Sequence, residues 1–137
     1  MIAAEISIKP LSANDSYIPA LKTIKGTRKK TLRFVKSKKY IGYEQELLWK
    51  LPAGKVSMDR LLGIYVDFIF ATKMSDLDNA EKPFLDVLQK KYGFNDNQIY
   101  KLIVRKEIVK KGKEFILFTL KRLVWSVFYK DLTLFLR

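Results

Sequence analysis

Large apolar residues recur at every second position over residues 60 to 70, and this pattern predicts a β-strand. One face of the strand is fully apolar, because every second residue is large and hydrophobic: Leu62, Ile64, Val66, Phe68 and Phe70. Shorter patterns of the same kind predict three more strands, at residues 5–9, 99–109 and 114–122. The last two are predicted to pair as a hairpin, since Lys110 to Lys113 includes a glycine and is typical of a tight turn.

Two other segments carry apolar residues at helical spacing. The first predicted helix runs from about Ser37 to Leu51 and stops before Pro52. The second is predicted to begin near Asn79, with Pro83 in its first turn because proline has no N–H to donate, and to end at Gly93. We therefore predict an α+β fold, with a four-stranded mixed sheet and both helices packed on one face.

The amino-acid composition limits the classes of chemistry that this chain can perform. A chain of 137 residues with 48% hydrophobic content can bury one good core, so residues 1–137 are expected to form a single domain. There is no cysteine and no histidine, which excludes disulfides, Ser-His and Cys-His nucleophiles and zinc sites built on imidazole. The six glycines form neither a P-loop nor a dinucleotide fingerprint, so no small-molecule cofactor is expected. Carboxylates, lysines and metal-bound water remain for catalysis.

The net charge is +13, from 27 Lys and Arg against 14 Asp and Glu. Such an excess favours a polyanionic partner, and nucleic acid is the leading candidate. The first nine residues include Glu5 and no long apolar run, so no signal peptide, anchor or membrane span is expected. We expect a soluble, cytoplasmic protein.

Residues 16–43 contain nine basic residues and no acidic one. Aromatic residues lie between them, which suits a mobile segment that becomes ordered against phosphates; the alternative is a solvated basic loop. The predicted phosphate contacts are Arg28, Lys29, Lys30, Arg33, Lys36, Lys38 and Lys39.

Three aspartates and a lysine are close in the sequence between residues 73 and 98. Asp76 and Asp78 follow the predicted central strand, Lys82 follows them near the start of the second helix, and Asp96 lies in the return to the next strand, which can carry it back towards the first two. Converging carboxylates select Mg²⁺ or Mn²⁺, which would draw phosphodiester oxygens into the site. The alternative is structural: aspartates are common in turns and helix caps, and Lys82 could simply pair with Asp78 or Asp86. Asp86 itself is interpreted as structural.

The pattern Asp-Leu-Asp-Asn-x-x-Lys-x-x-x-Asp-x-Leu from Asp76, followed by Gly-Phe and Asp-x-Gln, resembles the RusA family of Holliday junction resolvases. A second segment, Pro10-x-Ser12-x-Asn14-x-x-Tyr17, is similar to the N-terminal loop of that family, so the resemblance covers about residues 5–122. It implies that Asp76, Asp78 and Asp96 bind a divalent metal ion and that Lys82 is required for cleavage. It also implies a homodimer, which would present two equivalent sites to the two strands of a junction.

The resulting hypothesis is a Mg²⁺-dependent endodeoxyribonuclease that resolves four-way DNA junctions by paired symmetric nicks, in DNA recombination and repair. The alternative is a noncatalytic basic protein that binds DNA or RNA and whose aspartates are turn residues. The last segment, residues 123–137, has ten apolar residues of fifteen and is too short to span a bilayer. We expect this apolar extension to pack against its own domain or another subunit.

Overall fold

The computed structural model describes residues 1–123, so the apolar extension from residue 124 onwards lies outside the described residues. The helices and strands are β1 (Ile2–Ile6), β2 (Tyr17–Thr23), β3 (Lys30–Lys36), α1 (Lys38–Lys50), β4 (Leu61–Phe70), α2 (Leu77–Tyr92), β5 (Ile99–Ile108) and β6 (Phe115–Leu123). Neither helix within these residues is long and apolar enough to cross a membrane.

The main sheet has four strands in the order β1-β6-β4-β5 and is mixed, as the sequence predicts. β4 and β5 run parallel, with α2 as the connection between them, whereas β6 runs antiparallel to both β4 and β1. The predicted hairpin between the last two strands is therefore wrong, because β6 lies on the opposite side of β4 from β5. Composition accounts for this order: β6 buries Ile116, Phe118 and Leu120, as an inner strand must, whereas β5 carries the charges typical of an edge strand.

Both helices pack on one face of this sheet and form one core with it. Leu47 of α1 and Phe84 and Leu88 of α2 are completely buried against the apolar face of β4. The ring of Phe84 meets Phe68 and Phe118 edge to face, with both centroid distances 5.6 Å. The α+β architecture predicted from the apolar stripes is confirmed.

Residues 16–43 are more ordered than the sequence predicts. In place of a mobile segment, β2 and β3 form an antiparallel two-stranded sheet with Tyr17 opposite Lys36 and Thr23 opposite Lys30. Gly26 lies in the connecting turn with a φ of 81°, a value that glycine adopts without strain. β2 contains a proline, and the turn and β3 carry six of the segment's nine basic residues, so the composition resembles that of a loop although the segment forms a hairpin.

Two element boundaries also differ from the prediction. β1 spans Ile2–Ile6 rather than residues 5–9, because its ladder with β6 ends where Ile6 faces Ile116. α2 begins at Leu77, so Pro83 is the seventh helical residue and lies outside the first turn. Pro83 is buried, and packing keeps the helix continuous although proline cannot donate to the carbonyl of Asn79. The predicted ends of α1 and the closing Gly93 (φ 74°) are confirmed.

A buried carboxylate ties the hairpin to both helices. Glu44 of α1 is only 6% exposed and accepts hydrogen bonds from Lys36 of β3, at 2.9 Å, and from Lys90 of α2. Burial opposes ionisation of Glu44, but the hydrogen bonds from the two lysines outweigh it, and the net effect lowers the pKa of this carboxyl group.

We predict that Glu44→Gln lowers the free energy of unfolding at neutral pH by about 1–3 kcal/mol, because two charged hydrogen bonds lose their acceptor charge. The pKa of Glu44 is lower in the folded state than in the unfolded state. The stabilisation from its charge is therefore complete at pH values above the unfolded-state pKa and is lost as the pH falls through the folded-state pKa. Urea unfolding of both proteins, from neutral pH down to pH 3, measures the difference. A difference in the free energy of unfolding that stays constant from neutral pH to pH 3 would contradict the ion-pair explanation.

Candidate active site

Asp76 and Asp78 lie together where β4 leads into α2. Asp76 is the residue that precedes the helix, but its side chain makes no capping bond, and its carboxylate only meets Asn79 Nδ2 at 3.5 Å. Asp78 lies in the first turn and makes no hydrogen bond or ion pair within residues 1–123. Both side chains are exposed and neither carboxylate forms an ion pair within residues 1–123, so both are available to a cation.

Lys106 brings a positive charge to this turn from the neighbouring strand. Its ammonium group donates to the backbone oxygens of Lys73, at 3.1 Å, and Ser75, at 2.6 Å, and it borders a cavity together with Asp76 and Asp78. These bonds hold the turn that presents the carboxylates. No local pattern in the sequence indicates this role, because Lys106 reaches the turn only through the parallel pairing of β5 with β4.

Lys82 lies on the exposed surface of α2, one turn after Asp78. Its ammonium nitrogen is 3.4 Å from one carboxylate oxygen of Asp86 and 3.5 Å from the other. Of the two pairings open in the sequence, the structure therefore shows the one with Asp86. The side chain of Lys82 is still 71% exposed, so its charge remains accessible to a phosphate.

A groove of about 710 Å³ begins at Asp76 and runs between the N-terminal loop and α1. Ser12 and Asn14 of the loop line one wall, and Lys38 and Lys39 in the first turn of α1 line the other. The first turn of α1 carries no acidic residue, so the partial positive charge of the helix terminus adds to that of the lysines. The two segments of the family pattern, 59 positions apart from Tyr17 to Asp76, thus border one cavity. Its walls carry three lysines, Lys9, Lys38 and Lys39, and three acidic residues, Asp15, Glu46 and Asp76.

The structure does not bring Asp96 to the other two aspartates within one chain. Asp96 accepts a hydrogen bond from Gln89, which is eleven residues, or about 16 Å along the helix axis, beyond Asp78. It precedes the start of β5, which pairs with the start of β4, whereas Asp76 follows the end of β4. Accordingly, residues 1–123 contain no group of three acidic, histidine or cysteine side chains placed to hold a metal ion. One chain supplies two of the three expected ligands.

The predicted phosphate contacts fall into three places. Lys38 and Lys39 line the groove, and Lys36 is held by Glu44 at the base of the hairpin. The remaining four lie along the hairpin and are exposed: Arg28, Lys29, Lys30 and Arg33. The hairpin is therefore a basic arm beside the groove.

We predict that reversing two charges on this arm, in Lys29→Glu with Lys30→Glu, flattens the salt dependence of DNA binding. Each phosphate contact contributes about 0.9 to the slope of log K against log salt on duplex DNA, so losing two lowers it by about 1.8. Titration at several salt concentrations measures the slope. Lys55→Glu is the control, because Lys55 is exposed and lies outside the arm, next to Val56, whose N–H bonds to the backbone oxygen of Tyr92. Equal slopes for the arm variant and the wild type would show that the arm does not contact phosphates.

Comparison with known proteins identifies one matching protein family. The family model described as endodeoxyribonuclease RusA matches residues 18–116, a stretch that contains all but the first residue of the hairpin, the groove wall formed by α1, and all of α2. None of the curated proteins compared with the chain matches it.

Proposed function

The chain belongs to the endodeoxyribonuclease RusA family, and from this membership we propose that it resolves four-way DNA junctions by metal-dependent, paired nicking. The observation that carries the proposal is the pair of exposed carboxylates, Asp76 and Asp78, which form no ion pair within residues 1–123 and lie at the end of a groove that Lys38 and Lys39 help to line. A carboxylate pair without a basic partner would repel a phosphate bound in the groove unless a cation joined the two. The process served is DNA recombination and repair.

Asp76 and Asp78 would hold Mg²⁺ or Mn²⁺, since exposed carboxylates are the hard oxygen ligands that these ions take. A divalent ion bound there supplies charge neutralisation at the phosphate and a more acidic water. Lys106 keeps the turn in place through two backbone carbonyls. Lys82 offers an exposed ammonium group that stabilises charge as it develops on the phosphate.

Asp96 is proposed to complete the site from a second copy of the chain. Asp96 lies near the C-terminal end of α2, whereas Asp76 and Asp78 lie near its N-terminal end. A twofold axis perpendicular to the helix would place the C-terminal end of α2 in each copy beside the N-terminal end of α2 in the other, which creates two equivalent sites. Each of the two sites in such a homodimer would then take two aspartates from one subunit and Asp96 of the partner subunit. This arrangement also gives the two equivalent sites that paired nicking needs.

Incubation of the purified chain with labelled four-way junction and with linear duplex, in Mg²⁺, in Mn²⁺ and in EDTA, tests the function. The expected result is a pair of symmetric nicks in the junction alone, present with either ion and absent in EDTA. Binding without cleavage under all three conditions would favour the noncatalytic DNA- or RNA-binding protein instead.

We predict that Lys82→Ala lowers kcat by about 10²–10³-fold and changes KM by less than about twofold, because its charge acts mainly on the transition state. Single-turnover kinetics on the junction separate the two parameters. Lys110→Ala, which removes an exposed lysine from the turn after β5, is the matched control and should keep both values. A parallel loss of affinity and rate in Lys82→Ala would make this lysine a plain phosphate contact.

A further inference from the structure

One face of the β2–β3 hairpin is apolar and exposed. Pro19 faces Phe34 and Leu21 faces Leu32 across the two strands, so these four side chains lie on the same side of the hairpin. Leu21 is 67% exposed, Leu32 61% and Phe34 72%, values that a folded domain rarely leaves on adjacent large apolar residues. We name this set, Pro19, Leu21, Leu32 and Phe34, the apolar hairpin face.

The hairpin is attached to the rest of the described chain at its base. The ring of Tyr17 lies 5.6 Å from that of Tyr40, Lys36 pairs with Glu44, and Ser37 bonds to the backbone oxygens of Asp15 and Ser16. Each strand has seven residues and extends about 23 Å from that base. The apolar hairpin face is therefore carried on an arm.

The arm starts close to the proposed catalytic helix. Burial raises the pKa of Tyr40, and the nearby carboxylate of Asp86 raises it further. Asp86 is also the partner of Lys82, so the base of the arm and the proposed catalytic lysine approach the same carboxylate. DNA bound at Lys82 would lie within reach of the arm.

The charges around the apolar hairpin face favour nucleic acid over a second copy of the chain as its partner. Lys22 and Arg33 occupy the other face, and four more basic residues cluster around the turn: Lys25, Arg28, Lys29 and Lys30. A second copy of the chain would place these charges against like charges in a symmetric contact. Nucleic acid instead offers apolar base faces bordered by phosphates, which matches an apolar face bordered by lysine and arginine.

We propose that the apolar hairpin face packs against unstacked bases at the branch point of the DNA junction, with Phe34 as the principal contact; this rests on the function proposed above. Phenylalanine, leucine and proline are side chains that proteins insert between base steps. At a branch point some bases have already lost a stacking neighbour, so insertion there costs less than in continuous duplex. The arm would therefore contribute preference for branched DNA over linear DNA.

Full-length protein, in EDTA to prevent cleavage, tests this with junctions that carry 2-aminopurine at the branch point. Wild type should raise the fluorescence, because an unstacked 2-aminopurine emits more strongly. Phe34→Ala should reduce the rise and weaken junction binding about 10-fold, the loss expected for one base stacked on an aromatic ring, with duplex affinity changed less than about twofold. Leu32→Ala should change both in the same direction by a smaller factor. Ile18→Ala is the control, since Ile18 lies on the opposite face of the same hairpin and is 48% exposed.

Three outcomes would overturn the proposal. Phe34→Ala could behave like Ile18→Ala, it could lose duplex and junction affinity equally, or it could lower the oligomeric mass at equal concentration, which would make the face a subunit contact. Melting temperatures establish that the variants are folded. Cleavage is measured separately in Mg²⁺: a wild type that unstacks the branch point without cutting would refute the nuclease while leaving this inference intact.

Discussion

Asp76→Asn and Asp78→Asn are each expected to lower the rate of junction cleavage by at least about 10²–10³-fold, while junction affinity stays the same or rises. Each substitution removes the charge that holds the divalent ion, and each also relieves repulsion between the protein and phosphate. Neither side chain makes an ion pair within residues 1–123, so stability should change little. Gel-based nicking assays in Mg²⁺ and binding assays in EDTA measure the two effects.

Glu46→Gln is the matched control for these variants. Glu46 lines the same groove and its replacement changes the net charge by the same amount, but its carboxylate is already paired with Lys50 at 2.9 Å. It should cleave at close to the wild-type rate. If Glu46→Gln lost activity as strongly as Asp76→Asn, the groove's overall charge rather than a specific ligand pair would govern cleavage.

Mixing Asp76→Asn with Asp96→Asn is expected to restore cleavage that each variant alone lacks. In a mixed dimer with shared sites, one site carries both substitutions and the other carries neither. At equal amounts with free subunit exchange, half of the dimers are mixed, so about a quarter of all sites are intact. The product should be singly nicked junctions, because the mixed dimer has only one working site.

The same mixture distinguishes the two placements of Asp96. If Asp96 acted within its own chain, both sites of the mixed dimer would be damaged and no activity would return. Mixing Asp76→Asn with Asp78→Asn is the control. In the proposed dimer the same subunit supplies Asp76 and Asp78 to a site, so every site of this mixture lacks one of the two carboxylates. Activity in this control would indicate residual function in the single variants.

The sequence predicted much of the fold because its signals are local. Strict alternation identified β4, helical spacing identified α1 within a residue of its ends, and Gly93 marked the end of α2. The turn after β4 that carries Asp76 and Asp78 was found in the same way. Pro83 misled the prediction for the start of α2, because the cost of an interior proline was offset by packing that no local pattern reveals.

The sequence by itself thus determined the two helices, the four strands of the main sheet, the excess of positive charge and the adjacent carboxylates, all of which depend on residues that are neighbours along the chain. It did not reveal β2 and β3. Tertiary structure decided which strands pair, and with them the position of Lys106 beside the turn and of Asp96 at the far end of α2. The physical reason is that a parallel connection returns the chain to the start of the preceding strand, so residues eighteen positions apart, Asp78 and Asp96, are separated by nearly the length of the helix between them.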